Sequence, residues 1–221
     1  MPVFLHHAPV KTMNRISEIA LDFLRVGGKR LRPRLCEAVY RSIVREGDLR
    51  DISPLKEAIE CFHKASLVHD DIQDGDEERY GRPTVWKAHG VAAAIAVGDW
   101  LVAYGYGLIA RSGFSLAAKM LEVTAASHLR LSEGQGDELL GGGDYVLNCE
   151  RKTGEAFALA AALGALAAGV DPAPYIEWGL VYGVLFQVRD DIVDSGMTPE
   201  LKRLEAEYET RLAGLPVGPF L

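Results

Sequence analysis

The sequence predicts an all-α fold, a helical bundle, and two observations predict it. Apolar residues recur at the three- and four-residue spacing of a helix along almost the whole chain, with no sustained apolar–polar alternation of the kind a half-buried strand shows. Clusters of glycine and proline then cut these periodic stretches into about eight helical segments. In order, Ile16, Ile19, Ala20, Phe23 and Leu24 form one stripe, which ends at Gly27-Gly28. A second break falls at Gly47-Asp48. Ser53-Pro54 opens the next helix, with Ser53 expected as its cap and Pro54 in the first turn, where its missing N–H has no helical partner to lose. Leu55, Ala58, Ile59, Phe62, Ala65 and Ser66 continue that helix, which should end near Asp74 because Gly75 follows.

Gly81 to Pro83 marks the next break. Val91 to Ala110 is the most lipid-like run, but Asp99 sits at its centre, and a carboxylate there is costly in a bilayer, so it reads as a core helix and not as a membrane span. After the glycines at 141–143, Glu155 to Gly169 is a second apolar run, too short to cross a membrane. Breaks at Asp171 to Pro174 and Ser195 to Pro199 set off a charged terminal segment. Its thin stripe of Leu201, Leu204, Tyr208 and Leu212 predicts an amphipathic helix lying on the surface or on a partner.

A chain of 221 residues, 48% hydrophobic and 25% charged, can bury a full core, and residues 1–221 read as a single domain. The net charge of −7 argues against nucleic acid as a partner. Cys36, Cys61 and Cys149 are far apart and form no CxxC pair, which fits neither a disulfide framework nor a structural zinc site. The N-terminus lacks the charged start, apolar core and small-residue cleavage site of an export signal, so a cytoplasmic location is expected.

Two short segments echo each other half a domain apart: LVHDDIQD ending at Asp74 and QVRDDIVD ending at Asp194. On a helix, positions four apart share a face, so Asp70 and Asp74 present two carboxylates to one point with Asp71 beside them, and Asp190, Asp191 and Asp194 do the same. Stacked like charges near a helix C-terminus are unfavourable, because the macrodipole there is already negative. A single such cluster reads as a solvated charge run, but two at the ends of otherwise apolar helices call for cations. Carboxylates without His or Cys partners suit Mg²⁺ bridging to phosphate oxygens, and Asp70, Asp74, Asp190 and Asp194 are the candidate ligands.

Basic clusters complement them. Lys29, Arg30, Arg32 and Arg34 follow the Gly27-Gly28 pair, the arrangement of a loop and first helical turn that grip an anion; Arg79 and Arg82 lie in RYGRPT, and Arg151 and Lys152 in RKTG. Acids and bases together indicate a phosphorylated substrate held partly through metal and partly directly. His63 lies two turns before Asp70 on the same helix. With Glu60 it also makes one Glu-x-x-His, the half-motif of a carboxylate-bridged metal protein, but the sequence holds no second copy.

GGKRLRP, HKASLVHDDIQD, RYGRPT, GDWL, KTG and FQVRDDIVD stand in the order and approximate spacing of the trans-polyprenyl diphosphate synthases, which the chain resembles from Ile16 to Asp194. The resemblance implies an isoprenoid synthase-like bundle around a central cavity, a homodimer, and Mg²⁺-dependent condensation of isopentenyl diphosphate with an allylic diphosphate. By the same resemblance Asp70, Asp71, Asp74, Asp190, Asp191 and Asp194 hold Mg²⁺ against the allylic diphosphate. Arg79, Lys152, Thr153 and Gln187 contact the allylic side, and Lys29, Arg32 and His63 form the isopentenyl diphosphate pocket. The residues assigned to catalysis are Asp70, Asp71, Asp74, Lys152, Asp190 and Asp191. Ala65 and Ser66 leave room for a growing tail, and Phe62, one turn deeper, is the expected stop for a product longer than farnesyl diphosphate.

Two features depart from the pattern. Tyr80 stands where the family places the second of two adjacent arginines, and lacks an arginine's charge and fork, leaving Arg82 as the candidate substitute. Family members also continue well beyond the second acidic motif, whereas here a terminal helix follows Asp194 directly, as though the intervening helices were truncated. An alternative reading follows from this: a weakly active or inactive subunit that binds diphosphates or partners an intact synthase.

Overall fold

The computed structural model describes residues 14–142 and 144–221. Residues 1–13 of the N-terminal segment read as lacking an export signal, and Gly143 of the glycine break, lie outside them. Among the described residues there are ten α-helices: α1 (Arg15–Arg25), α2 (Leu31–Ile43), α3 (Ser53–Asp74), α4 (Val85–His89), α5 (Val91–Ala110), α6 (Ala117–Leu139), α7 (Tyr145–Cys149), α8 (Glu155–Ala167), α9 (Ala173–Ser195) and α10 (Pro199–Ala213). The helical fold is as expected, while two breaks are added to those read from glycine and proline pairs. Single glycines at 90 and 113, both with positive φ, end α4 and separate α5 from α6.

The chain divides into two compact units. Among the described residues, one comprises those from Asn14 to Lys29 together with Glu60–Gly105; the other comprises Arg30–Ile59 and those from Tyr106 to Leu221.

In the first unit, α1 is capped by Asn14, whose Oδ1 accepts from the Ser17 N–H at 3.0 Å. Its buried residues include Ala20 and Leu24 from α1, Cys61, Phe62, Ala65 and Val68 from α3, and Ala94, Val97 and Leu101 from α5. The helix expected over Val91–Ala110 forms and contributes Ala94, Val97 and Leu101 to the core, but only 33% of its most apolar stretch is buried, and Val91 and Ile95 are exposed. By length and composition alone, α5 is the one helix among the described residues that could cross a membrane; Asp99 is exposed on it.

A two-stranded antiparallel hairpin, β1 (Glu78–Arg79) with β2 (Arg82–Pro83), is the one element that helical periodicity could not anticipate. Each strand is only two residues long, and the hairpin turns on Tyr80 and Gly81, both at positive φ.

In the second unit, α8 is a small-residue helix buried throughout from Phe157 to Leu166, packed against α2, α6 and α9. Its alanines allow near contact of backbones. A Cβ added at Gly183 of α9 would lie 2.4 Å from the Gly154 Cα, and one at Gly179 would lie 2.5 Å from the Ala158 Cα, so the seam has no space for a methyl group. Just before α8, Glu150–Gly154 forms a π-helical turn that carries the RKTG residues. The terminal helix α10 lies on α9, with Leu204 and Tyr208 buried beside Cys149, Val181, Val184, Leu185 and Val188.

The start of α3 differs from expectation. The helix includes Ser53, and the Asp51 carboxylate, two residues earlier, accepts the Ser53 N–H at 2.8 Å. The longer carboxylate reaches the helix N-terminus from outside it, and its charge complements the positive end of the dipole. Gly75, at φ +73, follows Asp74 and ends the helix as predicted.

Candidate active site

In the first unit, the loop between α1 and α2 carries Gly27 and Gly28 at φ +63 and +88, backbone that side chains rarely adopt. Lys29 follows them and is exposed. Beneath this turn lies α3. Its acidic end sorts its three aspartates into two roles. Asp70 is half-buried and Asp74 exposed, four residues apart on one face. Asp71 is wholly buried and its Oδ1 accepts from the Arg79 Nε at 2.5 Å; the Arg79 Nη2 also lies 3.6 Å from Asp76. The Asp71 Oδ2 is buried with no hydrogen-bond partner among the described residues. Burial pushes the Asp71 carboxyl above its ordinary range, and Arg79 opposes that rise.

Other sequence motifs of this unit have structural explanations. In GDWL, a Cβ at Gly98 would fall 2.1 Å from the His69 Nε2, so the glycine admits the histidine that precedes the acidic pair. The His69 ring lies 3.9 Å from Asp99. In RYGRPT, Thr84 closes the loop, its Oγ1 donating to the Asp76 carbonyl at 2.9 Å and its N–H to the Glu77 carbonyl at 3.0 Å. His63 is half-buried on α3. Arg82, the candidate replacement for the missing arginine, is exposed and 3.8 Å from Asp22.

In the second unit, the C-terminal turn of α9 exposes Asp190 and Asp194 and half-buries Asp191. Thr153, Gln187 and Asp191 come together in one chain of hydrogen bonds. The Thr153 hydroxyl donates to the Gln187 Oε1 at 2.8 Å, and the Gln187 Nε2 donates to the Asp191 Oδ1 at 2.9 Å. Tyr145, which no motif marked, completes it by donating from its hydroxyl to the Asp191 Oδ2 at 2.5 Å. Burial and this carboxylate both push the Tyr145 phenol above its ordinary range.

Three cations of this unit sit on protein acids: Lys152 on Glu138, Arg151 on Asp137 at 2.5 Å, and Arg189 on Glu205 and Glu209. The Arg32 guanidinium lies over the Phe157 ring, 4.8 Å from its centroid. Tyr145 and Glu138 could not be found from spacing, since each is a lone residue tens of positions from its partner or on the far side of a turn.

The donor set fits Mg²⁺. Both helix ends offer carboxylate oxygen, and the buried Asp71 leaves one oxygen unbonded. No three His, Cys, Asp or Glu side chains among the described residues are gathered tightly enough to enclose an ion. An ion at either helix end would therefore keep water or phosphate oxygens in its shell, which is the coordination Mg²⁺ prefers.

Comparison with known proteins agrees with this arrangement. The family model for polyprenyl synthetases matches residues 13–203. The chain is 36% identical over 198 residues to the geranylfarnesyl diphosphate synthase of Aeropyrum pernix, covering 82% of this chain and 62% of that one. It is 35% identical to the geranylgeranyl diphosphate synthase of Cereibacter sphaeroides, covering 80% and 64%. It thus spans less than two thirds of the length of these curated relatives. Among solved structures, it is similar to an isoprenoid synthase family member from Thermotoga neapolitana, with TM-score 0.78, 26% identity and coverage of 89% and 83%. It is also similar to the geranylgeranyl pyrophosphate synthetase of Pyrococcus horikoshii, with TM-score 0.72, 34% identity and coverage of 85% and 61%. With the helical fold, the ordered motifs and the family match running through both acidic helices, the chain belongs to the polyprenyl synthetase family.

Proposed function

We propose that this chain is a Mg²⁺-dependent chain-elongating prenyltransferase, a single cytoplasmic synthase domain that joins isopentenyl diphosphate to an allylic diphosphate. The observation that carries the reading is the same division of labour at two helix ends. In each, the middle aspartate is pinned by hydrogen bonds, Asp71 by Arg79 and Asp191 by Tyr145 and Gln187, while the aspartate three residues on, Asp74 or Asp194, is exposed.

Breaking the allylic C–O bond leaves a carbocation beside diphosphate, so positive charge must be fixed around the leaving oxygens. Bound Mg²⁺ would supply part of that charge as a Lewis acid. Asp70 and Asp74 on α3, with Asp190 and Asp194 on α9, would hold it. Asp71 and Asp191, locked by their neighbours, set the orientation of those helix ends.

Lys152 is free to exchange Glu138 for a phosphate at little cost, since a solvent-exposed ion pair is worth roughly 0–1 kcal/mol. Thr153 and Gln187 align on the allylic side together with Arg79, and Lys29, Arg32 and His63 receive isopentenyl diphosphate. Its π bond attacks the cation, and the proton released goes to the departing diphosphate. Phe62, whose ring packs so close that a Cβ on Gly105 would lie 2.5 Å from it, is the stop for a product longer than farnesyl diphosphate. Phe62→Ala should lengthen the product; an unchanged product distribution removes that assignment. A homodimer would cover the outward apolar residues Val91 and Ile95 of α5.

The test is incubation with Mg²⁺, labelled isopentenyl diphosphate and geranyl, farnesyl or geranylgeranyl diphosphate, with extraction of prenyl product. Product from at least one primer is expected. No product from any primer favours a second reading, a diphosphate-binding subunit that works with another synthase. That reading draws support from the 34% identity to component 2 of the heptaprenyl diphosphate synthase of Geobacillus stearothermophilus, a protein named as one part of an assembly.

A further inference from the structure

Lys64 is the least expected residue in the first unit. It lies on α3 between His63 and Ala65 and has a wholly buried side chain. An ammonium out of water must be thoroughly satisfied or it unfolds its surroundings. Here its Nζ donates to the Val26 carbonyl at 2.5 Å, at the start of the Gly27-Gly28 turn. It also lies 4.4 Å from the centroid of the Tyr80 ring and 5.0 Å from that of Phe23, within the range of cation–π attraction. Glu60, one turn earlier on α3 and equally buried, is placed to balance the charge.

Tyr80 is 41% exposed and packs on one side against the Gly27-Gly28 turn. Its φ is +55, a conformation uncommon for any residue with a side chain and one that persists only where neighbours enforce it. The enforcing neighbour is the turn itself: a Cβ on Gly27 would fall 2.6 Å from the Tyr80 Cγ, so the ring lies flat against bare backbone. A Cβ on Gly28 would lie 3.6 Å from the Tyr80 hydroxyl and 3.9 Å from both the Lys64 Nζ and the Glu60 Oε1. One lysine, one aromatic ring and two glycines therefore form a single packed cluster, with Lys29 the next residue along the chain.

We infer that Lys64 and Tyr80 act as a coupled pair of positioning residues that fix the Gly27-Gly28 turn and so present Lys29 to the diphosphate of isopentenyl diphosphate. The inference rests on the prenyltransferase reading for its substrate. The ring at position 80 is required because Lys64 lies under it: an arginine there would set a second cation against a buried one, whereas the π face attracts it. Tyr80 is then a co-adapted choice and not a gap in the pocket to be filled by Arg82.

The test is a double-mutant cycle on Lys64→Met and Tyr80→Arg, with KM measured separately for isopentenyl diphosphate and for the allylic primer. Lys64→Met should raise the KM for isopentenyl diphosphate about tenfold, with the allylic KM moving less than about twofold. Tyr80→Arg alone should raise it at least as much, and the double variant should return to within about threefold of wild type. Three outcomes overturn the inference: an improved isopentenyl diphosphate KM in Tyr80→Arg alone, additive losses in the double variant, or equal shifts in both KM values. Should Lys64→Met not fold, Tyr80→Phe and Tyr80→Ala decide. The ring-keeping variant should hold its KM within about twofold and the alanine should lose about tenfold; equal behaviour of the two overturns the inference.

Should wild-type protein give no turnover, the prenyltransferase reading fails separately. The same cycle is then read by calorimetric titration with isopentenyl diphosphate, where the same pattern in Kd supports the pair. Absence of binding to wild type overturns it.

Discussion

The acidic ends of α3 and α9 share a sequence pattern but are built differently. On α3, Asp71 is buried and locked by the cation Arg79. On α9, Asp191 is half-buried and locked by neutral donors, the Tyr145 hydroxyl and the Gln187 amide. The residue preceding each acidic pair differs too: His69 tucks against Gly98, whereas Arg189 turns away to Glu205 and Glu209 of α10. The locked carboxylate of the α3 cluster is thus paired with a cation, while that of the α9 cluster has neutral partners. The α3 end therefore depends on its own arginine, and the α9 end on a tyrosine and a glutamine.

The largest effects come from the first aspartate of each acidic cluster, half-buried Asp70 and exposed Asp190. Asp70→Ala and Asp190→Ala should each reduce turnover by about a thousandfold or more, measured as labelled product with saturating Mg²⁺. Unchanged rates in either variant would exclude the metal role at that helix. Next is the arginine, where the two sites should part. Arg79→Leu strands a buried carboxylate and should destabilise the protein by about 3–5 kcal/mol in urea unfolding. Tyr145→Phe removes one neutral donor from a half-exposed group and should cost only about 1 kcal/mol. Equal losses would mean that the two aspartates are held alike after all.

The smallest effect is on alkaline titration. Because the folded Tyr145 phenol ionises above its ordinary value of 10.0, the unfolded chain loses that proton first. Its contribution is fully present below pH 10.0 and declines as the pH rises beyond it. The phenolate absorbance difference between wild type and Tyr145→Phe should therefore show no ionisation near the ordinary value; a step there would remove the hydrogen bond to Asp191.

Much of the site is legible in sequence because its residues are local. Asp70 and Asp74, and likewise Gln187 and Asp191, are one helical turn apart, so spacing alone fixes their common face. The Gly27-Gly28 pair marks the turn after α1 for the same reason: the backbone itself needs glycine at positive φ. What spacing could not reveal depends on residues far apart in the chain. Tyr145 meets Asp191 across 46 positions, and the Lys64 ammonium meets the Val26 carbonyl across 38. Neither leaves a local signal. The exposed side of α5 was likewise unreadable, because an apolar helix looks the same whether one face or all of it is covered.

By itself the sequence determined that the chain is helical, where most helices break, and that two acidic clusters stack like charges at the ends of apolar helices. These follow from periodicity and from the repulsion of stacked like charges, both set by neighbours a turn apart. Tertiary structure alone decided which aspartates are locked and by what, and that Tyr80 sits over a buried lysine beside the glycine turn. Burial and partnership over dozens of residues set the energy of an ion, and only the folded chain brings those partners within reach.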